Sequence, residues 1–188
     1  MARDGNWEPK TAEEKLDYLM SVDQIKQLPH RYGLAVDSRN MDDLVELFVD
    51  DVRVGNGQGG RAALKEWYTT ILSTNIRTSI HFIGNHVIDF QDADHASGVT
   101  YCRDELERDA DWGVGYIQYW DKYVRRNGRW YFRKRNFYRW FMVDALQRPA
   151  HGAGCERTDD ALPVNQLPEA WPSWGRYWQE IEARKARG

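Results

Sequence analysis

The chain has only two cysteines, Cys102 and Cys155, among 188 residues. Two thiols make neither a disulfide framework nor a zinc-ligand set, so the fold must rest on its own core. A chain of this length can do that, because one domain of this size buries roughly two-thirds of its unfolded surface. No run of apolar residues approaches the length of a membrane span. Nor is there a block of one charge: 29 acidic side chains face 26 basic ones for a net charge of -3. A nucleic-acid partner would call for a basic face, and only a local cluster over Arg125, Arg126, Arg129, Arg133, Lys134, Arg135 and Arg139 departs from balance. The opening residues carry no charged-then-apolar export signal, which predicts a cytoplasmic protein. Neither HExxH nor another ligand spacing links the five histidines, and there is no GxSxG elbow, so neither a metal nor a cofactor is expected. The glycine-rich GNGQGG at 55–60 lacks the lysine and serine ending of a phosphate loop and reads as a turn.

What the chain does have is aromatic side chains, 13% of it, with nine tryptophans and ten tyrosines. Such residues build cores and interfaces and also line apolar pockets for ring-shaped ligands.

Residues 1–10 read as a flexible leader. A helix begins after Thr11, with Glu14 completing a capping box, and carries Leu16, Leu19, Met20, Ile25 and Leu28 at helical spacing. Pro29 is expected to kink it. After the polar break at 37–40, a short helix spans 41–48 and another spans 61–73. From Arg77 the period changes to that of strands: Ser79 to Phe90, a turn at 92–95, Ala96 to Leu106, Val114 to Val124, and Arg129 to about Phe141 after the hairpin signal Asn127-Gly128. Helices followed by a meander of strands mean an α+β fold with an antiparallel sheet. Beyond residue 148, prolines at 149, 163, 168 and 172 and glycines at 152 and 154 point to an irregular extension, closed by a short helix around 174–186. The domain proper is 11–148.

Among the polar residues, His81 stands out because histidine titrates near neutrality and serves as a general base when a carboxylate holds its second ring nitrogen. On a regular strand His81, Ile83 and Asn85 share one face and His86 takes the other. Asp104 shares a face with Thr100 and Cys102, opposite Tyr101, Arg103 and Glu105. Each of these could equally be a core or surface residue.

Three segments taken in order, IKQLPHRYGLAVDSRNMDDLVELFVDD (25–51), SIHFIGNHVIDF (79–90) and YIQYWDKYVRRNGRWYFRKRNFYRW (116–140), with YCRDEL at 101–106, resemble the SnoaL-like branch of the NTF2-like superfamily. Within it the likeness is to the cofactor-free lyases: scytalone dehydratases, bile acid 7α-dehydratases and hexachlorocyclohexane dehydrochlorinases. The resemblance implies a cone of helices over a strongly curved sheet enclosing a pocket, and a homodimer or homotrimer. It also implies a dyad of His81 and Asp37, with Tyr32, Asp104 and Arg139 (or its neighbours Arg135 and Asn136) completing the acid–base set. Tyr32 and Asp37 lie five residues apart, about 140° around a helix, so a kink at Pro29 or fraying near Ser38 is expected to bring both into the cavity. Substrate contacts are expected from Tyr101, Trp67, Trp112, Trp120, Trp140 and Asn85. One departure is that no tyrosine follows the second helix, where Val52-Arg53-Val54 stands, so Tyr101 or Tyr119 would have to replace it. The implied activity is a dehydratase-like lyase acting on a hydrophobic aromatic or polycyclic substrate. Alternatives are a carbon–carbon lyase releasing a small aldehyde from a phenol, an isomerase or polyketide cyclase, and a non-catalytic binding module.

Overall fold

The computed structural model describes residues 7–55, 57–108 and 111–145 and scattered positions from 172 to 186. The closing extension therefore lies almost wholly outside the described residues, although Gly175, Arg176, Gln179, Ala183 and Lys185 are helical.

Helix α1 runs from Ala12 to Asp37, and its N-terminus carries the expected box: Thr11 Oγ1 accepts from the Glu14 amide, and the Glu14 carboxylate accepts from the Thr11 amide. Pro29 does not break it, and the helix continues through that residue to Asp37. Its buried face is Ile25, Leu28, Tyr32, Ala35 and Val36. The short α2 (Met41–Glu46) is capped by Asn40, and α3 (Arg61–Asn75) follows a two-residue hairpin, β1 (Arg53–Val54) and β2 (Gln58–Gly59). That hairpin is the glycine stretch, with Gly57 and Gly60 at φ of 82° and 91°, backbone that side chains rarely adopt.

The rest is one antiparallel sheet in sequence order, β3 (Thr78–Phe90), β4 (His95–Glu107), β5 (Trp112–Arg126) and β6 (Arg129–Asp144). The architecture is α+β, helices on a curved sheet that stays open. Its inner face, buried against the helices, carries Tyr119, Tyr123, Trp130 and Phe132, all nearly inaccessible. The strip 47–49 is stitched to the sheet by backbone hydrogen bonds to and from Phe132. Trp7, at the end of the segment expected to be a leader, packs on Tyr18 and Phe90 at ring separations of 6.1 and 6.2 Å. No helix of the described residues is long and apolar enough to cross a membrane.

Three irregularities decide which side chains face inward. β3 carries one extra residue between Ile83 and His86, and β6 is out of step between Trp140 and Phe141 and again near Arg133. A bulge shifts the alternation by one residue. His81 pairs with Asp104, Ile83 with Cys102 and His86 with Thr100, so both histidines lie on the inner face. The expectation that they take opposite faces is corrected here, because it assumed a regular pleat. Asn85, expected beside His81, is exposed in the bulge and borders an outer groove.

Candidate functional site

Asp37 is the last residue of α1, where the helix dipole disfavours a carboxylate, so hydrogen bonds must hold it charged. They come from β3. Asp37 Oδ1 accepts from His81 Nδ1 at 2.6 Å and from the Ser79 hydroxyl at 2.9 Å, and Oδ2 accepts from the His81 backbone amide at 2.8 Å. Partial burial pushes the Asp37 carboxyl upward, but the donors from His81 and Ser79 outweigh it and hold the group below its ordinary value. An ionised carboxylate only accepts, so the His81 proton sits on Nδ1 and Nε2 keeps its lone pair. Arg39, at φ 57°, donates to Ser79 Oγ at 2.7 Å and to the carbonyls of Val36 and Ile76, which turns the Ser79 proton toward Asp37. Close approach of helix and strand needs Gly33: a Cβ there would stand 3.2 Å from that of His81.

Around this pair lies a cluster of buried groups. The Tyr32 ring meets His81 edge-on with centroids 6.0 Å apart, and its hydroxyl accepts from that of Tyr68 at 3.2 Å. No kink is needed to combine Tyr32 with Asp37: Tyr32 lies beneath the sheet's inner face while Asp37, at the helix end, reaches across to β3. Asp104 stands directly across from His81, 5% exposed, and its Oδ1 has no hydrogen-bond partner among the described residues. Burial raises its pKa, against the opposing charges of His81 and Arg139. Its carboxylate occupies the space above Gly115, where a Cβ would collide with Oδ1. Arg139, 2% exposed, is on the inner face of β6, with its guanidinium carbon 5.4 Å from the Phe137 ring centre.

Arg135 is on that face too, whereas Asn136 pairs with Trp120 on the outside. Arg135 forms a two-point hydrogen bond with Asp121, at 2.9 and 2.7 Å. Asp121 also accepts from Tyr123 at 3.0 Å, and the Tyr123 oxygen lies 3.0 Å from His86 Nε2. Burial, with the charge of Arg135 added, lowers the His86 pKa to about 4.

The aromatic residues expected to touch substrate fall elsewhere. Tyr101, Trp112, Trp120 and Trp140 lie on the outer side of the sheet, since they occupy the alternate positions to Asp104 and Tyr119 or, for Trp140, a register shift. Trp120 stacks on Tyr138 at 4.4 Å, and the Trp112 indole donates to Glu105. Tyr101 and Trp140 border a cavity of about 450 Å³ on that outer side, together with Phe82 and Tyr116. A larger one, about 740 Å³, lies between α1, α2 and Trp130. Trp67 packs on Tyr68 and is half-exposed. Sequence reasoning missed Ser79, Arg39 and Tyr68. Their signals were weak: a hydroxyl two residues before the histidine on the same strand face, an arginine in the polar break after the first helix, and a tyrosine inside a helix pattern. Among the described residues no group of three or more His, Cys, Asp or Glu could hold a metal ion.

Structural comparison finds the same frame in several solved proteins. A protein of Novosphingobium aromaticivorans put forward as a scytalone dehydratase is 26% identical, with 76% of this chain covering 99% of that one at a TM-score of 0.61. LinA is 25% identical, with 73% and 99% covered and a TM-score of 0.65. The hexachlorocyclohexane dehydrochlorinase LinA-type3 of Novosphingobium barchaimii, at 23% identity, 73% and 99% coverage and a TM-score of 0.64, shows the shared fold. No curated protein sequence matches. The family model of the SnoaL-like domain matches residues 17–136, the stretch that holds Asp37, His81, Asp104 and Arg135, and the chain therefore belongs to the SnoaL-like family of the NTF2-like superfamily.

Proposed function

We propose that the protein is a cofactor-independent lyase of dehydratase type, acting on a hydrophobic aromatic or polycyclic alcohol with His81 as the base. The observation that carries this reading is the Asp37–His81 pair: three hydrogen bonds fix the carboxylate, and the 2.6 Å contact to Nδ1 leaves Nε2 as the acceptor. Asp37 stabilises the imidazolium that forms, as an orienting carboxylate does in acid–base catalysis. His81 Nε2 takes a proton from the carbon next to the carbinol, or from a phenolic hydroxyl in conjugation with it. The electron pair released forms the new double bond as the C–O bond breaks. The departing hydroxide takes the proton of Tyr32 or of Asp104, which its raised pKa keeps available, and leaves as water. Arg139 orients an anionic or carbonyl group of the substrate. The structural neighbours, one put forward as a dehydratase and others named dehydrochlorinases, agree with an elimination. Self-association as a dimer or trimer belongs to the same reading and is checked by sedimentation.

A second reading is favoured by one feature. Tyr32 carries a hydroxyl donor and burial favours the protonated, donating form of Asp104, and two donors beside a base suit enolate stabilisation, hence an isomerase or cyclase.

The test is turnover of a panel of racemic aromatic and polycyclic alcohols with no added cofactor, read by mass spectrometry beside His81→Ala. A product lighter by one water that vanishes in the variant is the expected result. A product lighter by formaldehyde keeps His81 as base and moves the enzyme to the carbon–carbon lyases. A product of unchanged mass selects the isomerase. No turnover, with ligand binding equal in both proteins, overturns catalysis by the dyad and leaves a binding module.

A further inference from the structure

Arg135 is an unusual residue to find here: a cation with 4% of its side chain exposed, enclosed by rings. Its guanidinium carbon lies 4.3 Å from the centre of the Tyr32 ring, 4.0 Å from Tyr119 and 4.1 Å from Phe132. Among the described residues only one carboxylate, Asp121, meets it, and Nη1 has no hydrogen-bond partner. Burying an ion pair is costly and often adds nothing to stability, so its position against the phenol of Tyr32 calls for another reason than folding.

We propose that Arg135 is the positioning residue of Tyr32: stacked on the phenol, it fixes the ring beside His81 and balances the charge left on the oxygen when the hydroxyl proton passes to the leaving group. The inference rests on the reading of Tyr32 as proton donor. A planar guanidinium can stack on a ring and still hold a carboxylate through its fork, which an ammonium cannot. Each side of Tyr32 supplies a group that bears on its ionisation. Tyr68 comes from α3, His81 from β3, Cys102 from β4, Tyr119 with Asp121 from β5, and Arg135 from β6. Burial raises all three phenols, and for Tyr32 the charge of Arg135 is the largest influence opposing it.

The experiment uses full-length protein labelled with 3-fluorotyrosine, whose ring ionises at lower pH, and follows the Tyr32 fluorine resonance, assigned by its loss in Tyr32→Phe. Two variants act in opposite directions. Asp121→Asn removes the negative partner and leaves the cation, and the titration midpoint of Tyr32 is expected to fall by about one pH unit, a tenfold change in the equilibrium. Arg135→Met combined with Asp121→Leu removes both charges without stranding either, and the midpoint is expected to rise by a similar amount. Arg135→Lys keeps the charge but loses the stacked plane, so kcat should fall with KM little changed and the midpoint should stay nearer to wild type than in the double variant. Unchanged midpoints, or shifts of the same sign in Asp121→Asn and the double variant, overturn the proposal, since loosened packing alone would move both alike. Failure of the parent reading looks different: Tyr32→Phe would then turn substrate over at the wild-type rate, whatever the fluorine titration shows.

Discussion

Asp37 ends its helix where a carboxylate is least favoured, and it stays charged because Ser79 and two nitrogens of His81 donate to it. Losing that charge while keeping the shape should therefore be severe. Asp37→Asn removes the acceptor that selects the Nδ1–H tautomer, and kcat/KM should fall by about 10² to 10⁴, the range of one general-base contribution. Steady-state kinetics on whichever alcohol turns over, with the melting temperature as a control, gives the result; an unaltered rate would refute the orienting role. Gly115 lends itself to a cleaner steric test. A methyl group at this position overlaps the Asp104 carboxylate, so Gly115→Ala must displace Asp104 from its place opposite His81. Overpacking of this kind costs about 1–3 kcal/mol. Thermal unfolding should register that loss, while Gly55→Ala, with open space around it, should not.

At the scale of the strand, one extra residue in β3 turns His86 inward. There it lies against Tyr123 and near Arg135, and burial with that positive charge depresses its pKa to about 4 from the ordinary 6.5. The sign follows from linkage. A histidine depressed in the folded state binds protons better when unfolded, so its contribution is complete above pH 6.5 and is lost as the pH falls toward 4. Denaturant unfolding at pH 7.5 and at pH 5 should show wild-type stability dropping between the two, and His86→Gln should flatten that slope. An identical slope in the variant would place the acid sensitivity in other groups. The same irregularity explains why alternation, which is reliable along β4, failed for Asn85: a bulge leaves almost no mark in the sequence beyond a glycine, Gly84, inside a strand pattern.

At the scale of the molecule, the N-terminal side of α1 is tied to the far end of the sheet. Trp7 packs against Tyr18 and Phe90, and Arg125 bridges Asp17 and Asp94 while lying over the Trp130 ring. The aromatic contact matters more than the exposed ion pairs, because half-buried apolar area is unscreened and surface pairs are worth under about 1 kcal/mol. Trp7→Ala should therefore lower stability by about 1–3 kcal/mol, and Asp94→Ala by less than half as much, in paired chemical denaturation curves. If Asp94→Ala proves the more damaging, the anchoring is electrostatic. Because these contacts are remote from His81, turnover at low temperature should survive both changes.

Much of this chain's architecture followed from local chemistry. The Thr11–Glu14 capping box, the polar break between the first two helices, the glycine turn and the Asn127-Gly128 hairpin are each written in two to four adjacent residues, so the α+β order and the meander were legible without coordinates. The likeness that joined Asp37 to His81 named a pair whose 2.6 Å contact the fold supplies. What only the tertiary structure decided was direction: that Pro29 can remain inside an unbroken α1, that His86 faces in and Asn85 out, that four expected aromatic contacts lie on the outer side of the sheet, and that Arg135 is stacked on Tyr32. Local preferences act over a few residues, whereas the face a side chain takes depends on a register counted across neighbouring strands. A single inserted residue reverses that face with almost no local signature.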